Sequence, residues 1–330
     1  MGRYATVPLG GALGEALSAG SYEAFRKSNL PLVLLVLNII GALAHGTGIT
    51  LVRVLARQNI ELNIWHHTLV NTGNMSYPEW ERNQEVTTIN PTTVITFFFG
   101  LSLTFHVVIS LFLLAHQFYP DAWWNQWYVW GIYHNLAIWR WLEYVFSAPL
   151  MLLLAAPMMG VREIHSIMAV VGSLGVTILF GWLTELHATY FIEPAPEPYK
   201  FCGWTLVRQW KPGSWKTRFQ FHLLGYFPYA LCWIIVFDRF RLNLLAVSDI
   251  VPDFVNATVI GSFALFTFFG ITQLLHQLLP YGPSLYWLGE IIYVVLSFAA
   301  KAELGLIVLF QALVDGGSYD NVLEIKVASA

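Results

Sequence analysis

The chain has 330 residues, of which 56% are hydrophobic and only 11% are charged, and its mean hydropathy is +0.57. Soluble proteins carry about 25% charged residues, so this composition excludes an ordinary soluble domain and predicts an integral membrane protein. Seventeen basic and 20 acidic residues give a net charge of −3, which excludes a generally basic surface for nucleic acid. Two cysteines, Cys202 and Cys232, are too few for a disulfide framework.

Apolar windows that are long enough to cross a bilayer, about 20 residues each, recur along the chain and predict seven membrane spans. They lie at about residues 28–52, within 86–120, and at about 130–156, 164–185, 219–237, 254–279 and 285–313. Pro280, Gly282 and Pro283 separate the last two windows, because proline and glycine disfavour a continuous helix. The predicted fold class is therefore an all-α membrane protein, a bundle of seven transmembrane helices.

The seven-helix bundle is predicted over residues 30–313, between an N-terminal tail, residues 1–29, and a C-terminal tail, residues 314–330. A long loop, residues 53–91, follows the first span, and Glu85–Ile89 within it is predicted to form a short strand. These boundaries predict one membrane domain with two short tails.

The orientation of the bundle is predicted from sequons, because Lys and Arg are divided almost evenly between the two sides of the membrane. Asn74 and Asn256 begin N-x-S/T sequons in the predicted loops after spans one and five. Both loops are extracytoplasmic only if the N-terminal tail is cytoplasmic, so we predict that orientation. The most basic cytoplasmic loop is then the one between spans four and five, which we expect to contact lipid headgroups through Lys200, Arg208, Lys211, Lys216 and Arg218.

Lys301 lies near the middle of the seventh predicted span. A charge at that depth costs about 2.5–3.5 kcal/mol on insertion scales, so it needs a partner or a function. A buried lysine amine can form a Schiff base with an aldehyde ligand, and the alternative is a structural ion pair between helices. Glu303 points about 200° away around the helix, whereas Ser297, one turn earlier, lies on the lysine's face. The partner of Lys301 must therefore come from another helix.

The third span supplies a candidate partner in Glu143, which lies on one helical stripe with Ser147. A buried carboxylate that faces a buried lysine stabilises both charges. In the alternative interpretation, Glu143 pairs with Arg140, three residues earlier, and has no relation to Lys301.

Other polar residues in the spans are His45, His106, Glu185 and Glu290. A single histidine inside a span is more often a hydrogen-bonded structural residue than a proton carrier. Glu185 is either a solvated cap or a polar anchor, and Glu290 lies about 16 Å along the helix from Lys301, too far for contact. We predict no metal site, since these spans contain no HxxxH or HxH spacing and His66-His67 lies in a loop.

The motifs of the third and seventh spans resemble those of the heliorhodopsins, retinal-binding microbial-type rhodopsins with an inverted topology. Arg-Trp-x-Glu-Tyr-x-x-Ser at residues 140–147, followed by Met151, is similar to their third helix. Gly-Glu-x-x-Tyr-x-x-Leu-Ser-x-x-Ala-Lys at residues 289–301 is similar to their seventh. Gly-Trp-Leu-Thr-Glu at residues 181–185 resembles the end of their fourth helix, and His45 and His106 match histidines of their first and second helices.

This resemblance implies that Lys301 carries all-trans retinal as a protonated Schiff base, with Glu143 as its counter-ion. The expected retinal-binding residues are Ser297, Ser147, Trp141, Tyr144, Met151, Phe266 and Phe269. The expected polar and proton network comprises His45, His106, Arg140, Glu185 and Glu290.

The resemblance also implies a cytoplasmic N-terminus, a homodimer in the lipid bilayer of the plasma or another cellular membrane, and a slow photocycle without ion pumping. Leu154 occupies the position, eleven residues after Glu143, where outward proton pumps carry a second carboxylate. We therefore predict a light sensor, not a pump or an enzyme, that signals to an unidentified cytoplasmic partner.

Two alternatives stay open from the sequence. The acids and histidines of the spans are numerous enough for a relay in a light-gated passive proton channel. A chromophore-free transporter or receptor could instead use a salt bridge between Lys301 and Glu143 to gate a small-molecule site.

Overall fold

The computed structural model of the chain describes residues 30–57, 60–70, 79–119, 128–202, 204–247, 253–280 and 282–310. The predicted tails, residues 1–29 and 314–330, and the sequon at Asn74 lie outside the described residues.

Within the described residues, seven long helices form the predicted bundle, and each is long and apolar enough to cross a bilayer. They are α1 (Leu30–Leu55), α2 (Pro91–Phe118), α3 (Ile138–Met158), α4 (Ile164–Ala188), α5 (Gln220–Val247), α6 (Asp253–Leu278) and α7 (Tyr286–Ile307). Many large apolar side chains point outward, and Leu43, Phe227 and Leu245 are 67%, 78% and 74% exposed. So much exposed apolar surface is expected against lipid, not against water.

The local sequence explains where α2 and α4 begin. Asn90 caps α2 by accepting a hydrogen bond from the Thr93 N–H at 3.0 Å, and Pro91 follows in the first turn, where its missing N–H costs nothing. Glu163 caps α4 in the same way, because its side chain accepts from the Ser166 N–H at 2.6 Å. These caps fix the starts of α2 and α4 on the same side of the bundle.

The third span begins later than predicted, since the apolar run from Trp130 does not form one helix. A short helix, Val129–Tyr133, ends before Asn135, whose φ of 63° is incompatible with helix continuation. The Asn135 side chain donates to the carbonyls of Gly282 and Pro283, which holds this break against the connection between α6 and α7. The long helix α3 then starts at Ile138.

A β-hairpin fills the long loop after α1. Strand β1 (Leu62–Val70) pairs antiparallel with β2 (Glu79–Ile89), so the predicted strand at residues 85–89 is the end of a longer one. The Trp65 N–H donates to the Arg162 carbonyl at 2.9 Å, and Ile64 is fully buried in the core. The hairpin is therefore attached to the connection between α3 and α4.

A second hairpin, which the sequence analysis did not predict, connects α4 to α5. Strand β3 (Ile192–Phe201) pairs with β4 (Trp204–Trp210), and the register shifts between Pro194 and Tyr199. Three prolines fall in β3, and proline normally argues against a paired strand. The irregular segment accommodates the prolines, which explains why the sequence pattern did not reveal the strand.

Two of the five basic residues of this connection are buried and do not face lipid headgroups as predicted. Arg208 Nη1 donates to the Tyr133 carbonyl at 2.6 Å and to Asn135 Oδ1 at 2.9 Å. The Arg218 guanidinium lies 4.6 Å from the centre of the Trp210 ring. Arg208 thus joins the connections on the N-terminal side of the bundle to one another.

The sequon at Asn256 does not lie in a loop, which corrects the prediction. Asn256 lies in the first turn of α6, and Thr258 is buried and donates to the Phe254 carbonyl at 2.8 Å. A buried, hydrogen-bonded threonine inside a helix makes a poor glycosylation sequence, so Asn256 gives no support to the predicted orientation.

Helix α3 is the most buried of the seven and occupies the middle of the bundle. Leu152, Leu154 and Ala156 are completely buried in the main apolar core, which also includes residues from α2, α4, α5, α6 and α7. Polar side chains of α3 therefore meet partners from several helices at once.

Candidate functional site

Lys301 and Glu143 form a buried ion pair at the centre of the bundle. Lys301 Nζ donates to Glu143 Oε1 at 2.7 Å and to Ser297 Oγ at 2.5 Å, and Lys301 and Glu143 are 2% and 5% exposed. The structure thus brings the predicted lysine, carboxylate and serine together. The alternative interpretation, in which Glu143 pairs with Arg140 alone, is wrong.

Two further groups lie next to this ion pair. Ser102 of α2 donates to Glu143 Oε1 at 2.7 Å, so the carboxylate receives two hydrogen bonds on one oxygen. Lys301 Nζ lies 5.5 Å from the centre of the Tyr144 ring, whose hydroxyl donates to the Tyr293 carbonyl at 2.9 Å. The role of Ser102 was not predictable from the sequence, because a single serine in an apolar span carries no charge that requires a partner.

His45 and His106 lie next to each other beside this ion pair. Their rings stack with centroids 5.1 Å apart, and His106 lies close enough to Glu143 to interact with its charge. His45 Nδ1 bonds to the Gly41 carbonyl at 2.6 Å, and His106 Nδ1 bonds to Asn38 Oδ1 at 2.8 Å. A Cβ at Gly41 would come within 2.9 Å of the His106 ring, so the close approach requires glycine.

The Nε2 atoms of both histidines are buried and have no hydrogen-bond partner among the described residues. A buried polar atom without a hydrogen-bond partner destabilises the folded protein, unless the atom binds a water molecule or a proton. The pair therefore has an unused capacity to bind a proton or water next to Glu143.

Arg140, Glu185 and Glu290 form a second cluster, apart from the contacts of Lys301. Arg140 Nη2 donates to Glu185 Oε1 at 2.5 Å, and Arg140 Nη1 donates to Glu290. Glu185 Oε2 also accepts from the Trp141 indole N–H at 2.5 Å and from the Ala137 N–H at 3.0 Å. Glu185 is therefore a buried anchor and not a solvated cap. The five residues expected in one polar network divide between two clusters.

Two tyrosines donate hydrogen bonds to the carboxylates of this second cluster, in which one guanidinium faces two carboxylates. The Tyr286 hydroxyl donates to Glu185, and the Tyr128 hydroxyl donates to Glu290 Oε1 at 3.3 Å. Burial, with a further contribution from the charge of Glu290, raises the pKa of Tyr128 well above its ordinary value. Tyr128 thus remains a neutral hydrogen-bond donor.

An apolar cavity between α3, α4, α5, α6 and α7 reaches Lys301. It contains about 860 Å³ of empty space, including the part that is open to the surroundings. All the residues predicted to contact a chromophore line it: Trp141, Tyr144, Ser147, Met151, Phe266, Phe269, Ser297 and Lys301. Other lining residues were not predicted from the sequence, and they include His222, Tyr226, Tyr229, Gln273 and Tyr293.

These residues fit a retinal chromophore. A polyene aldehyde needs an amine for attachment, a negative charge beside that amine and apolar walls for its chain. Lys301 lines the cavity, and its Nζ, the atom that would form the Schiff base, is hydrogen-bonded to Glu143. The aromatic rings of Trp141, Tyr144 and Phe269 supply flat apolar surface.

Comparisons with known proteins agree with this geometry. A profile of the heliorhodopsin family matches residues 34–313. The chain belongs to the heliorhodopsin family. It is therefore an integral multi-pass membrane protein and a light-sensing rhodopsin, and membership of this family implies a retinal chromophore. Rhodopsins are generally photoreceptors or pumps and not enzymes.

Two solved structures share the fold. The crystal structure of thermophilic rhodopsin is 14% identical with a TM-score of 0.55, and the match covers 92% of this chain and 97% of that one. Cyanorhodopsin from the cyanobacterium Tolypothrix sp. NIES-4075 is 14% identical with a TM-score of 0.52, and the match covers 86% of this chain and 94% of that one. No curated protein matches the sequence.

The absence of a side chain at Gly181 of α4 allows the Trp141 ring of the cavity wall to approach that helix closely. A substitution at Gly181 therefore tests this contact. A Cβ at Gly181 would lie 2.5 Å from the Trp141 ring, whereas a Cβ at Gly172 of the same helix would meet nothing within 4 Å. We expect Gly181→Ala to displace the Trp141 ring and to destabilise the heliorhodopsin by about 1–3 kcal/mol.

The control for this substitution is Gly172→Ala, which we expect to be neutral or stabilising by up to about 1 kcal/mol. The temperature at which each variant loses its retinal absorption band measures its stability. Equal melting temperatures of the two variants would contradict the assigned contact.

Proposed function

We propose that this heliorhodopsin is a light sensor in which Lys301 binds all-trans retinal as a protonated Schiff base and Glu143 is the counter-ion. The observation that supports it best is the buried ion pair of Lys301 and Glu143 at the wall of an apolar cavity. In this proposal, light starts a slow photocycle that changes the protein without pumping ions.

Glu143 and its neighbours would control the response. Bound retinal supplies visible absorption and a light-driven isomerisation that reorients the N–H at its attachment point. Glu143, which accepts from Ser102 at 2.7 Å, holds the negative charge that stabilises this N–H, and Ser297 accepts beside it. A buried ion pair is strongly sensitive to separation, because the surrounding dielectric is low. Glu143 and the pair of His45 and His106 would be the groups placed to accept a proton from the nitrogen of Lys301.

The residues around Leu154 support a sensor over a pump. Leu154 is completely buried, and its neighbours Leu153 and Ala155 are also apolar. Glu303 faces Gly261 of α6 and not the site of Lys301, so it does not extend a chain of acids from Glu143. An apolar barrier after Glu143 favours local proton movement without net transport.

The proposal also includes a cytoplasmic N-terminus, a homodimer and a cytoplasmic signalling partner. Its support is the resemblance of the motifs at residues 140–147 and 289–301 to heliorhodopsins. In this orientation, the hairpin of β3 and β4 and the cluster of Arg140 lie on the cytoplasmic side, where a partner would bind.

Lys301→Arg tests the attachment site without deleting its positive charge. We expect purified protein to gain a visible absorption band when all-trans retinal is added, and hydroxylamine to bleach this band. An arginine at position 301 is able to keep the ion pair with Glu143 but cannot form the Schiff base, so we expect the variant to fold and remain colourless.

Circular dichroism provides the control for folding in this experiment. A helical Lys301→Arg variant without the band supports attachment at Lys301. Wild-type protein that stays colourless with retinal, or a variant that keeps the visible band, would overturn the proposal.

A further inference from the structure

His66 and His165 meet on the opposite side of the bundle from the cluster of Arg140, and neither belongs to the retinal site. His66 lies in β1 and His165 in the first turn of α4, 99 positions later in the chain. Their Nε2 atoms are 3.2 Å apart. The sequence predicted no metal site, since the spans contain no HxxxH or HxH spacing and His66-His67 lies in a loop, but the fold brings His165 next to His66.

The backbone on both sides of this pair is held in place. Trp65, next to His66, forms a parallel β-bridge with Glu163, and its N–H donates to the Arg162 carbonyl at 2.9 Å. The Glu163 side chain caps the helix that carries His165. Two structural elements thus present their imidazoles to each other from a fixed backbone, which reduces the entropy cost of binding a ligand between them.

The ring geometry agrees with a shared metal ion. In a tetrahedral zinc site with Zn–N distances of about 2.0–2.1 Å, two ligand nitrogens are about 3.3 Å apart and the centroids of their rings about 5.2 Å apart. Here the two Nε2 atoms are 3.2 Å apart and the ring centroids are 5.1 Å apart. A zinc ion therefore fits at this pair with little movement of either ring.

The imidazole nitrogens of the pair favour some metal ions over others. Imidazole nitrogen suits Zn²⁺ and neighbouring transition metals, whereas Ca²⁺ and Mg²⁺ prefer oxygen. His165 is exposed and His66 half-buried, so ions reach the pair from water. Among the residues that the structure describes, no group of three or more His, Cys, Asp or Glu side chains surrounds a metal position. With these two histidines as its ligands from the described residues, a bound ion would take water at its remaining positions.

We propose that His66 and His165 form a two-histidine site for Zn²⁺ that fastens the hairpin of β1 and β2 to the start of α4. The two protein ligands come from segments that only the folded chain brings together, so zinc bound here stabilises the folded state. This site is separate from Lys301 and does not depend on the proposed attachment of retinal.

Zinc titration of the purified full-length protein tests this site, with a fluorescent zinc chelator as competitor. We expect His66→Gln and His165→Gln each to weaken zinc binding at least tenfold, because each removes one of two ligands. His67→Gln is the matched control, since His67 is the next residue of the same strand, and we expect it to bind zinc like the wild type.

Thermal melting in the presence and absence of Zn²⁺ provides the second measurement. We expect zinc to raise the melting temperature of the wild type and of His67→Gln, but not of His66→Gln or His165→Gln. The two test variants alter different elements, so each tests the site independently. Equal zinc binding by the wild type and both of these variants, or no zinc binding by the wild type, would overturn the proposal and leave only a hydrogen bond between two imidazoles.

Discussion

Glu143→Gln is expected to remove most of the visible absorption of the retinal-bound protein at neutral pH. Glu143 is 5% exposed and contacts Lys301 Nζ at 2.7 Å, so the amide leaves a buried positive charge without its opposite charge. Breaking a buried pair in this way costs about 3–5 kcal/mol. That energy disfavours the protonated, visibly absorbing form by a factor of more than about 100.

Absorbance spectra of the reconstituted protein measure this effect. We expect the band to move from the visible to the near ultraviolet in Glu143→Gln and to return when the sample is acidified. The matched control is Glu303→Gln, which changes another carboxyl group in the spans, one that faces Gly261 and not Lys301. A Glu143→Gln protein with the wild-type spectrum would show that another group is the counter-ion.

Arg140→Ala is expected to cause a large loss of stability, with little effect on the position of the visible band. The Arg140 guanidinium bonds to Glu185, Glu290 and Tyr286 and lies 4.0 Å from the centre of the Tyr293 ring. Its removal leaves two buried carboxylates without a cation, which costs about 3–5 kcal/mol. In the proposed function, the band position depends on Glu143 and Lys301, which belong to the other cluster.

The control for this experiment is Arg241→Ala, which removes an ion pair at the surface. Arg241 and Asp238 are 3.3 Å apart and their side chains are 67% and 53% exposed, so their pair contributes about 0–1 kcal/mol. Thermal bleaching of the visible band compares the two variants. If Arg140→Ala were as stable as Arg241→Ala, the buried cluster would not be a major source of stability.

The sequence predicted the features for which burial in the membrane has a large free-energy cost. Charges inside apolar spans identified Lys301 and Glu143, because an unpaired charge in a bilayer is too costly to be accidental. The structure agrees on their contact and on seven helices. The family resemblance, which rested on the spacing of these residues, is confirmed by the family match.

The features that the sequence did not predict depend on contacts between distant segments. Spacing along α3 allowed Arg140 to pair with Glu143, but Arg140 instead meets Glu185 and Glu290, which come from α4 and α7. Asn38 and Ser102 are small and uncharged, and nothing in their sequence surroundings distinguishes them from ordinary packing residues. Helix-to-helix geometry, which a single sequence does not contain, decides these partners.

The side chain of Trp141 belongs to both buried clusters of the protein. Its ring lines the cavity that reaches Lys301, and its indole N–H donates to Glu185 at 2.5 Å. Glu185 in turn accepts from the N–H of Ala137 at the start of α3 and from the hydroxyl of Tyr286 at the start of α7. A displacement of this one indole therefore changes the hydrogen bonds that hold the starts of α3 and α7, which lie on the same membrane face. A change in the shape of a chromophore in the cavity would thus move helix ends at the membrane surface.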